Sequence, residues 1–333
     1  MKDGILVLNK PQNWTSGDCV AICRRVLGVK GIRKVGHGGT LDPMATGVLP
    51  IFVGQATRIM EYMELDSKIY LCSARLGITT DTLDIWGKVT EEKNWQETRE
   101  EKSITEDSLT AALKSFEGSI EQMPPKYSAV RIKGKRLYEY AHKGQELSEE
   151  VLSEIKPRKV SIEEISLKNI DLEKGELAFA VECSKGTYIR TLCADLGEKL
   201  GCGCVMTGLQ RLATGNISID MAEIDAEQVK GMDAEQLERL LLPSDYPLVH
   251  FGKLMMPEGR AEYFSRGNSI RWNQVRVIKK PDEFCKSRRN GRGRNYEYIY
   301  RVYCEDTGEF LGTGFYDEKE KRLKADKIFV SRK

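Results

Sequence analysis

The sequence predicts an α+β fold: a mixed, mainly antiparallel sheet with flanking helices, followed by a small C-terminal β-barrel domain. Strand-like alternation, as in Lys68–Leu76, is interspersed with helical patterns, as at 190–200, where leucines recur every fourth residue. From about residue 248 the chain changes to short β-like runs separated by glycines, which is typical of a small β domain. We therefore expect two domains, at 1–245 and 246–333.

Composition narrows the class of protein. The chain has 333 residues, of which 40% are hydrophobic and 31% charged, and no apolar run approaches the roughly 20 residues that span a bilayer. The N-terminal residues lack the apolar segment of a signal peptide. Nine scattered cysteines without a CxxC pair, and only three histidines, predict reduced thiols and no metal site. These features predict a cytoplasmic protein that makes no contact with a membrane.

Charge is unevenly distributed along the chain. Residues 251–333 carry 20 basic and 12 acidic side chains, and residues 1–60 carry eight and three, whereas the middle is acidic. The stretch 271–294 alone holds nine Lys or Arg against two acids. A chain that is basic near both ends and acidic in the middle favours the binding of a polyanion to two separate faces of the protein. Surface charge can also cluster by chance.

Local sequence patterns predict where the helices and strands lie. Ser16 is the expected N-cap of a helix at 17–27. Residues 55–63 are expected to form a second helix, and residues 91–107 a polar connection on the surface. Asp225 and Asp233 each open a capping box, which predicts two short helices. Strands are expected at 4–9, 48–53, 68–76, 160–170 and 177–183.

The stretch GHGGTLDPMATGVLPIFVG at 36–54 is the strongest candidate for chemistry. Its glycines permit a tight turn, and Pro43 restrains Asp42 on a stiff loop between apolar flanks. Asp-Pro is common in turns that have no role in function, but burying an unpaired carboxylate among apolar residues costs free energy. We therefore predict that Asp42 is functional.

A second run, CSKGTYIRTLCADLG at 183–197, combines a strand, a glycine turn and a helix start that carries Arg190. The segment YSAVRIKGKRLYEYAHKG at 127–144 interleaves basic and tyrosine side chains, which suit phosphates and bases respectively. The alternative for the segment at 127–144 is a basic hairpin exposed to solvent. The alternative for Arg190 is an ion pair that only stabilises the fold.

Together these runs resemble the signatures of the TruB family of tRNA pseudouridine synthases. The first matches the family's GTLDP element, with Gly38 where Thr or Ser is usual, and NKPQNWTS at 9–16 matches its opening motif, with Asn13 where Gly is usual. The resemblance implies a catalytic Asp42 paired with Arg190, and a Tyr70 that stacks on the target base. It further implies substrate contacts by His37, Tyr70, Tyr188 and Leu209. Lys10, in the opening motif, is a further candidate for substrate binding through a phosphate, although a lone lysine can equally pack its stem over the core.

The resemblance also implies the activity: isomerisation of uridine to pseudouridine at T-loop position 55 of tRNA, without cofactor or metal. The expected partner is the T arm of tRNA, bound by a monomer that needs no other protein. The segment at about 122–158 would insert into the RNA, and the C-terminal domain would be PUA-like. The alternatives are a guide-dependent ribosomal RNA synthase, a non-catalytic RNA-binding or RNA-folding protein, and a nucleosidase that releases uracil.

Overall fold

The computed structural model describes residues 3–28, 34–65, 67–128, 130–137, 140, 154–286, 288 and 295–329. In chain order, the strands are β1 Gly4–Lys10, β2 Val35–His37, β3 Thr46–Val53, β4 Lys68–Leu76, β5 Ile78–Thr80, β6 Val89–Glu92, β7 Gly118–Gln122, β8 Arg131–Ile132, β9 Lys135–Arg136, β10 Arg158–Asp171, β11 Glu176–Cys183, β12 Cys204–Thr214, β13 Ile217–Ser218, β14 Ile224–Asp225, β15 Gly252–Met256, β16 Ile270–Arg271, β17 Arg276–Lys279, β18 Ile299–Cys304, β19 Phe310–Asp317 and β20 Arg322–Ile328. The helices are α1 Ser16–Val26, α2 Trp95–Glu101, α3 Glu106–Lys114, α4 Ile189–Leu200, α5 Ala226–Val229, α6 Ala234–Arg239 and α7 Glu258–Ser265.

A ten-stranded mixed sheet forms the larger layer, in the order β14-β1-β3-β12-β4-β11-β10-β7, with β2 paired to β3 and β13 to β12. Most of its pairs are antiparallel, and β3/β12 and β1/β14 are parallel. On β4, Tyr70, Cys72, Ala74 and Leu76 are buried, which confirms the predicted alternation. This face packs on α3 and α4 through a core that includes Leu192.

A six-stranded sheet, β16-β20-β19-β18-β15-β17, forms the C-terminal part. Within the described residues its two ends, β16 and β17, are not paired with each other, so the predicted barrel-like domain is a curled sheet that stays open. The predicted PUA-like character stays a prediction. Part of the basic stretch 271–294, residues 287 and 289–294, lies outside the described residues.

The two sheets share a hydrophobic core. Val7 and Phe52 of the larger sheet pack in one cluster with Phe251, Tyr296 and Ile299 of the C-terminal part. The predicted boundary at residue 245 therefore separates two sheets that bury apolar surface against each other, and as a division into domains it stays a prediction.

Three predicted local features differ in the structure, each for a simple reason. Helix α1 is capped by Thr15, which forms a capping box with Asp18, while the predicted cap Ser16 bonds the loop of Asp42 instead. The predicted helix at 55–63 is two 3-10 helices, Gly54–Ile59 and Tyr62–Leu65, because apolar spacing of three residues suits both forms. The predicted surface connection at 91–107 contains α2. The capping boxes at Asp225 and Asp233 are confirmed.

All nine cysteines lie in the described residues and are buried free thiols. None of the helices in the described part is long and apolar enough to cross a membrane. The same residues contain no group of three or more His, Cys, Asp or Glu side chains placed to hold a metal ion.

Candidate active site

The loop that carries Asp42 is fixed from both sides. The amide of Gly38 donates to the Pro50 carbonyl at 2.8 Å, which extends the pairing of β2 with β3. Further along, the Ser16 hydroxyl accepts from the Leu41 amide at 2.9 Å and lies 3.1 Å from the Leu41 carbonyl. The residue before Asp42 is thus tied to the first turn of α1, so the carboxylate is presented from a rigid support.

Gly38 fits this loop because of its neighbour. A methyl group added at Gly38 would lie 2.6 Å from the Phe52 ring, which is closer than carbon atoms approach in folded proteins. Phe52 is fully buried in the core shared by the two sheets. The departure from the usual Thr or Ser therefore matches a large aromatic side chain beneath the loop.

Asp42 forms an ion pair with Arg190, with 2.9 Å between Oδ2 and Nη2. The Arg190 side chain is 7% exposed, whereas that of Asp42 is 38% exposed. The guanidinium also donates to the carbonyls of Tyr127 at 2.9 Å and Thr82 at 3.2 Å. Asp84 lies on its other side, at 3.8 Å. Arg190 is therefore held by four oxygen partners, and one face of the Asp42 carboxylate is left open.

Helix α4 delivers Arg190 to this point. Tyr188 is the N-cap of the helix, and its backbone is held by the amide side chain of Gln122. The Tyr188 amide donates to Gln122 Oε1 at 2.9 Å, and the Tyr188 carbonyl accepts from Gln122 Nε2 at 3.3 Å. Arg190 follows in the first turn, on the buried side of the helix.

The ion pair lies in the wall of a cavity of about 630 Å³. Four predicted site residues line it together with Asp42 and Arg190: His37, Tyr70, Tyr188 and Leu209. The remaining lining comes from loops, from the 3-10 segment at 54–65 and from the first residues of β4 and α4: Gly38, Gly39, Thr40, Leu41, Met60, Glu61, Met63, Lys68, Ser128, Lys185, Gly186, Thr187 and Ile189. A lining that combines two lysines with apolar side chains suits a nucleotide, which has a charged phosphate and a flat base.

Tyr70 stands on β4 directly opposite Arg211 of β12. Burial raises the pKa of the Tyr70 phenol, and the charge and hydrogen bond of Arg211 oppose that shift. The ring is 8% exposed, so its hydroxyl is anchored inside the protein while its ring borders the cavity. The structure therefore presents an aromatic ring of fixed orientation to the cavity.

Arg211 is a site residue that the sequence reasoning missed. It is fully buried, and it donates to the carbonyls of Val48 at 2.8 Å and Gly39 at 3.1 Å. It therefore connects Tyr70 to both ends of the Asp42 loop. The available signal was an arginine between Leu209 and Leu212 in a strand, because an arginine that is buried there needs partners. Asp84 was also missed, although it lies in the turn-rich stretch GITTDTLDIWG.

The prediction that Lys10 contacts the substrate is not supported by its position. Lys10 is fully buried, and its ammonium donates to the carbonyls of Pro11 at 2.9 Å, Trp14 at 2.6 Å and Pro43 at 3.0 Å. Burial lowers the pKa of this ammonium to about 8. All three donors are used, so Lys10 supports the loop after Asp42 and does not reach a phosphate.

Asn13 supports the same carbonyl. It adopts φ of +66°, a conformation that asparagine tolerates better than most residues, and its amide donates to the Pro43 carbonyl at 2.8 Å. The residue that replaces the usual glycine of the opening motif thus keeps the required backbone form.

Much of the predicted RNA-inserting segment lies outside the described residues: 129, 138, 139 and 141–153. Of its tyrosines, Tyr138 is among these. The described part contains a short hairpin of β8 and β9, and the Lys135 ammonium lies 5.9 Å from the centre of the Tyr140 ring.

Comparisons with known proteins agree with the geometry. Residues 24–189 match the model of the TruB family pseudouridylate synthase N-terminal domain, and residues 190–249 match the tRNA pseudouridylate synthase B C-terminal domain. The chain is 40% identical to tRNA pseudouridine synthase B of Clostridium kluyveri, over 98% of this chain and 100% of the relative. It is 36% identical to the protein of the same name from Shigella dysenteriae, over 95% and 92%.

Solved structures share the fold. An H/ACA RNP bound to a substrate RNA containing 2′-deoxyuridine superposes with a TM-score of 0.67 at 20% identity, covering 99% of this chain and 86% of that one. A Cbf5-Nop10-Gar1 complex gives 0.67 at 22% identity, covering 98% and 85%. From the family-model matches and the identities over nearly the whole chain, we conclude that this protein belongs to the TruB family of pseudouridylate synthases.

Proposed function

We propose that this protein isomerises uridine to pseudouridine at T-loop position 55 of tRNA, with the Asp42 carboxylate as the reacting group and no cofactor. The observation that carries the proposal is the Asp42–Arg190 ion pair at 2.9 Å in the wall of the cavity. Relatives 40% identical to this chain are named tRNA pseudouridine synthase B, which supports a tRNA substrate.

The proposed reaction breaks the bond from N1 of uracil to C1′ of the ribose and forms a bond from C5 to C1′. C5 loses a proton and N1 gains one, so atoms and electrons balance without an external reagent. The leaving uracil delocalises its own negative charge, and one carboxylate is therefore sufficient where ordinary glycosidases use two. Asp42 can act by attack on C1′, by attack on C6, or by removal of the C2′ proton.

The remaining side chains bind and orient the nucleotide. A base in folded RNA must leave its stack before it can react, at a cost of a few kcal/mol. Stacking on the Tyr70 ring, worth about 1–3 kcal/mol, offsets much of that cost. We assign Tyr188 and Leu209 to the walls around the base, and His37 to the space that the base vacates in the RNA. Arg190 pairs with the Asp42 carboxylate and positions it before the reaction begins.

In this proposal the protein acts as a cytoplasmic monomer on the T arm, without a guide RNA or an obligatory protein partner. Residues 1–245 would form the catalytic domain, and 246–333 a PUA-like RNA-binding domain. The H/ACA structures share the fold at 20–22% identity. That likeness supports the fold and does not favour guide-dependent action.

A T-arm stem-loop labelled with tritium at C5 of uridine tests the proposal. Pseudouridine formation releases the C5 tritium into water and leaves the RNA mass otherwise unchanged. Release of free uracil would instead identify a nucleosidase, and RNA binding without tritium release would identify a non-catalytic RNA-binding protein. A substrate in which the target uridine is replaced by cytidine serves as the control.

A further inference from the structure

The segment at 54–65 has two functional faces. It leaves β3 as the 3-10 helices Gly54–Ile59 and Tyr62–Leu65, and one face of it forms a wall of the cavity. Met60, Glu61 and Met63 supply that wall. Met60 also approaches β2 beside His37, since a methyl group added at Gly36 would lie 3.2 Å from the Met60 sulfur.

The other face of the same segment meets the C-terminal sheet. The Gln55 side-chain amide donates to the Phe329 carbonyl at 2.7 Å, and the Arg58 guanidinium donates to the Ile328 carbonyl. Both acceptors lie at or just after the end of β20. Two side chains of the first 3-10 helix are therefore hydrogen-bonded to backbone carbonyls at the end of the last strand.

Tyr62 continues this attachment in the second 3-10 helix. Its hydroxyl donates to the Asp326 carboxylate and shares a hydrogen bond with the Thr313 hydroxyl at 3.0 Å. The ring is 1% exposed and packs against Phe251 with ring centres 5.0 Å apart. A buried phenol with satisfied hydrogen bonds fixes geometry as well as adding stability.

An ion pair joins the two faces. The Lys327 ammonium lies 2.8 Å from Glu61 Oε1, and the side chains are 9% and 35% exposed respectively. Glu61 belongs to the wall of a cavity that we assign to a polyanion, where an unpaired carboxylate would repel phosphate groups. The ammonium arrives from the C-terminal sheet and neutralises it.

We propose that the C-terminal sheet is a structural part of the nucleotide pocket, and that Lys327 and Tyr62 are positioning residues which hold the wall at 60–63 for the reaction. Four successive residues of the last strand and its end, 326–329, contact the segment. RNA binding and catalysis are then coupled through the protein, beyond the affinity that a basic C-terminal region provides.

The alternative is that the C-terminal sheet contributes only attraction for RNA. Two lysines of β20 separate these possibilities, because Lys324 pairs with Asp317 at 2.9 Å and Glu320 at 2.7 Å inside the C-terminal sheet. Lys327→Gln and Lys324→Gln each remove one positive charge from the same strand, and only the first breaks a contact with the pocket wall.

We expect Lys327→Gln to lower the single-turnover rate of tritium release at saturating T-arm RNA by about tenfold, a typical coupling for groups in contact. Lys324→Gln should leave that rate within about twofold of the unsubstituted protein, and any effect should fall on KM. Thermal unfolding of both variants is measured in parallel. Equal rates for the two variants would overturn the proposal.

A double-mutant cycle distinguishes loss of the ion pair from loss of folding as the cause of a lower rate. Glu61→Gln with Lys327→Gln removes both charges and leaves two amides able to bond each other. We expect this double variant to turn over faster than the product of the two single effects predicts. Strict additivity would overturn the role of the ion pair.

Tyr62→Phe, which keeps the ring and loses the hydroxyl, should likewise lower the rate more than the affinity. A change in affinity alone would contradict the positioning role of Tyr62.

This inference rests on the proposed function for its assay, and the two can fail separately. If the unsubstituted protein releases no tritium from any T-arm RNA, the proposed function fails. If it is active and Lys327→Gln behaves as Lys324→Gln does, the coupling alone fails.

Discussion

Two carboxylates approach Arg190, and they differ in access to the cavity. Asp84 is buried on the far side and also accepts from the Thr82 hydroxyl at 2.7 Å and the Trp86 amide at 3.2 Å. Asp42 is more exposed, and it lines the cavity whereas Asp84 does not. Asp42 is therefore the carboxylate that a ligand in the cavity can reach, and Asp84 lies on the buried side of the guanidinium.

Asp42→Asn keeps the shape of the side chain and removes its charge. We expect pseudouridine formation to fall by at least about a thousandfold, since loss of a reacting group commonly costs this much or more, while the Kd for T-arm RNA changes little. Tritium release and filter binding measure the two quantities. Asp81→Asn is the control, because that carboxylate is exposed and accepts from the Lys88 amide. Measurable turnover by the Asp42 variant at the unsubstituted rate would remove Asp42 from the mechanism.

Arg190→Lys tests the planar guanidinium. One ammonium cannot reach Asp42 and the carbonyls of Tyr127 and Thr82 in the same geometry. We expect kcat to fall about a hundredfold with KM nearly unchanged. Arg75→Lys, an exposed change on β4, should have no effect. A rise in KM at constant kcat would make Arg190 an RNA contact only.

At this scale the sequence predicted that Asp42 and Arg190 would pair, which the structure confirms, but it did not predict the residues that support them. Asp42 and Arg190 stand in long motifs whose combination of residue types is rarely needed for packing alone. Lys10 and Arg211 are each isolated basic residues in the sequence. The sequence alone does not show whether such a side chain is exposed to solvent or buried beneath a loop. The structure places both beneath the Asp42 loop, where backbone carbonyls accept their hydrogen bonds.

Elements with strict periodicity were predicted well. The strand Lys68–Leu76 has the predicted bounds, because alternation of apolar and polar residues is typical of a half-buried strand and of little else. The segment 54–65 was less predictable, since its side chains bond to β19, β20 and the residue after β20, and those partners lie more than 250 residues away. Distant contacts of this kind leave no local pattern.

Helix α4 carries a carboxylate that opposes folding at neutral pH. Burial, with a smaller effect of Glu198, raises the pKa of Asp195 to about 6, above its usual value of 3.8. Between these two values the folded protein binds more protons than the unfolded chain, so the free energy of unfolding falls as pH rises through this range. Above pH 6 the cost of the buried charge is fully present.

Asp195→Asn should therefore stabilise the protein at pH 7.5, by about 1–2 kcal/mol given 1.36 kcal/mol per pKa unit and partial solvation. The gain should shrink as pH falls from 6 and vanish below about pH 3, where the carboxyl is protonated in both the folded and the unfolded state. Urea unfolding at the two pH values measures it. Glu198→Gln, at an exposed position one turn away, should give a smaller gain. A gain independent of pH would show that charge is not its cause.

For the whole molecule, composition predicted two parts and a basic C-terminal region, but not how they join. The shared core of Phe52, Phe251 and Tyr296 comes from residues that read as ordinary apolar positions in separate segments. Deleting residues 251–333 would uncover this core, so the RNA-binding role of the basic region is better tested by point substitutions that leave the sheets joined.

Arg271 and Lys280 are exposed basic residues of the stretch 271–294, and we expect them to contact phosphates. Replacing both by Gln should reduce the slope of log K against log salt by about one to two, because each phosphate contact contributes about 0.7–0.9. The kcat at saturating RNA should not change. Lys102→Gln with Lys114→Gln removes the same charge from α3 and the end of α2, and is the matched control. If both pairs lower the slope equally, net charge alone attracts the RNA; if neither does, the stretch lies outside the RNA contact. A selective effect of the first pair would place RNA against the C-terminal sheet, whose last strand also supports the wall of the pocket.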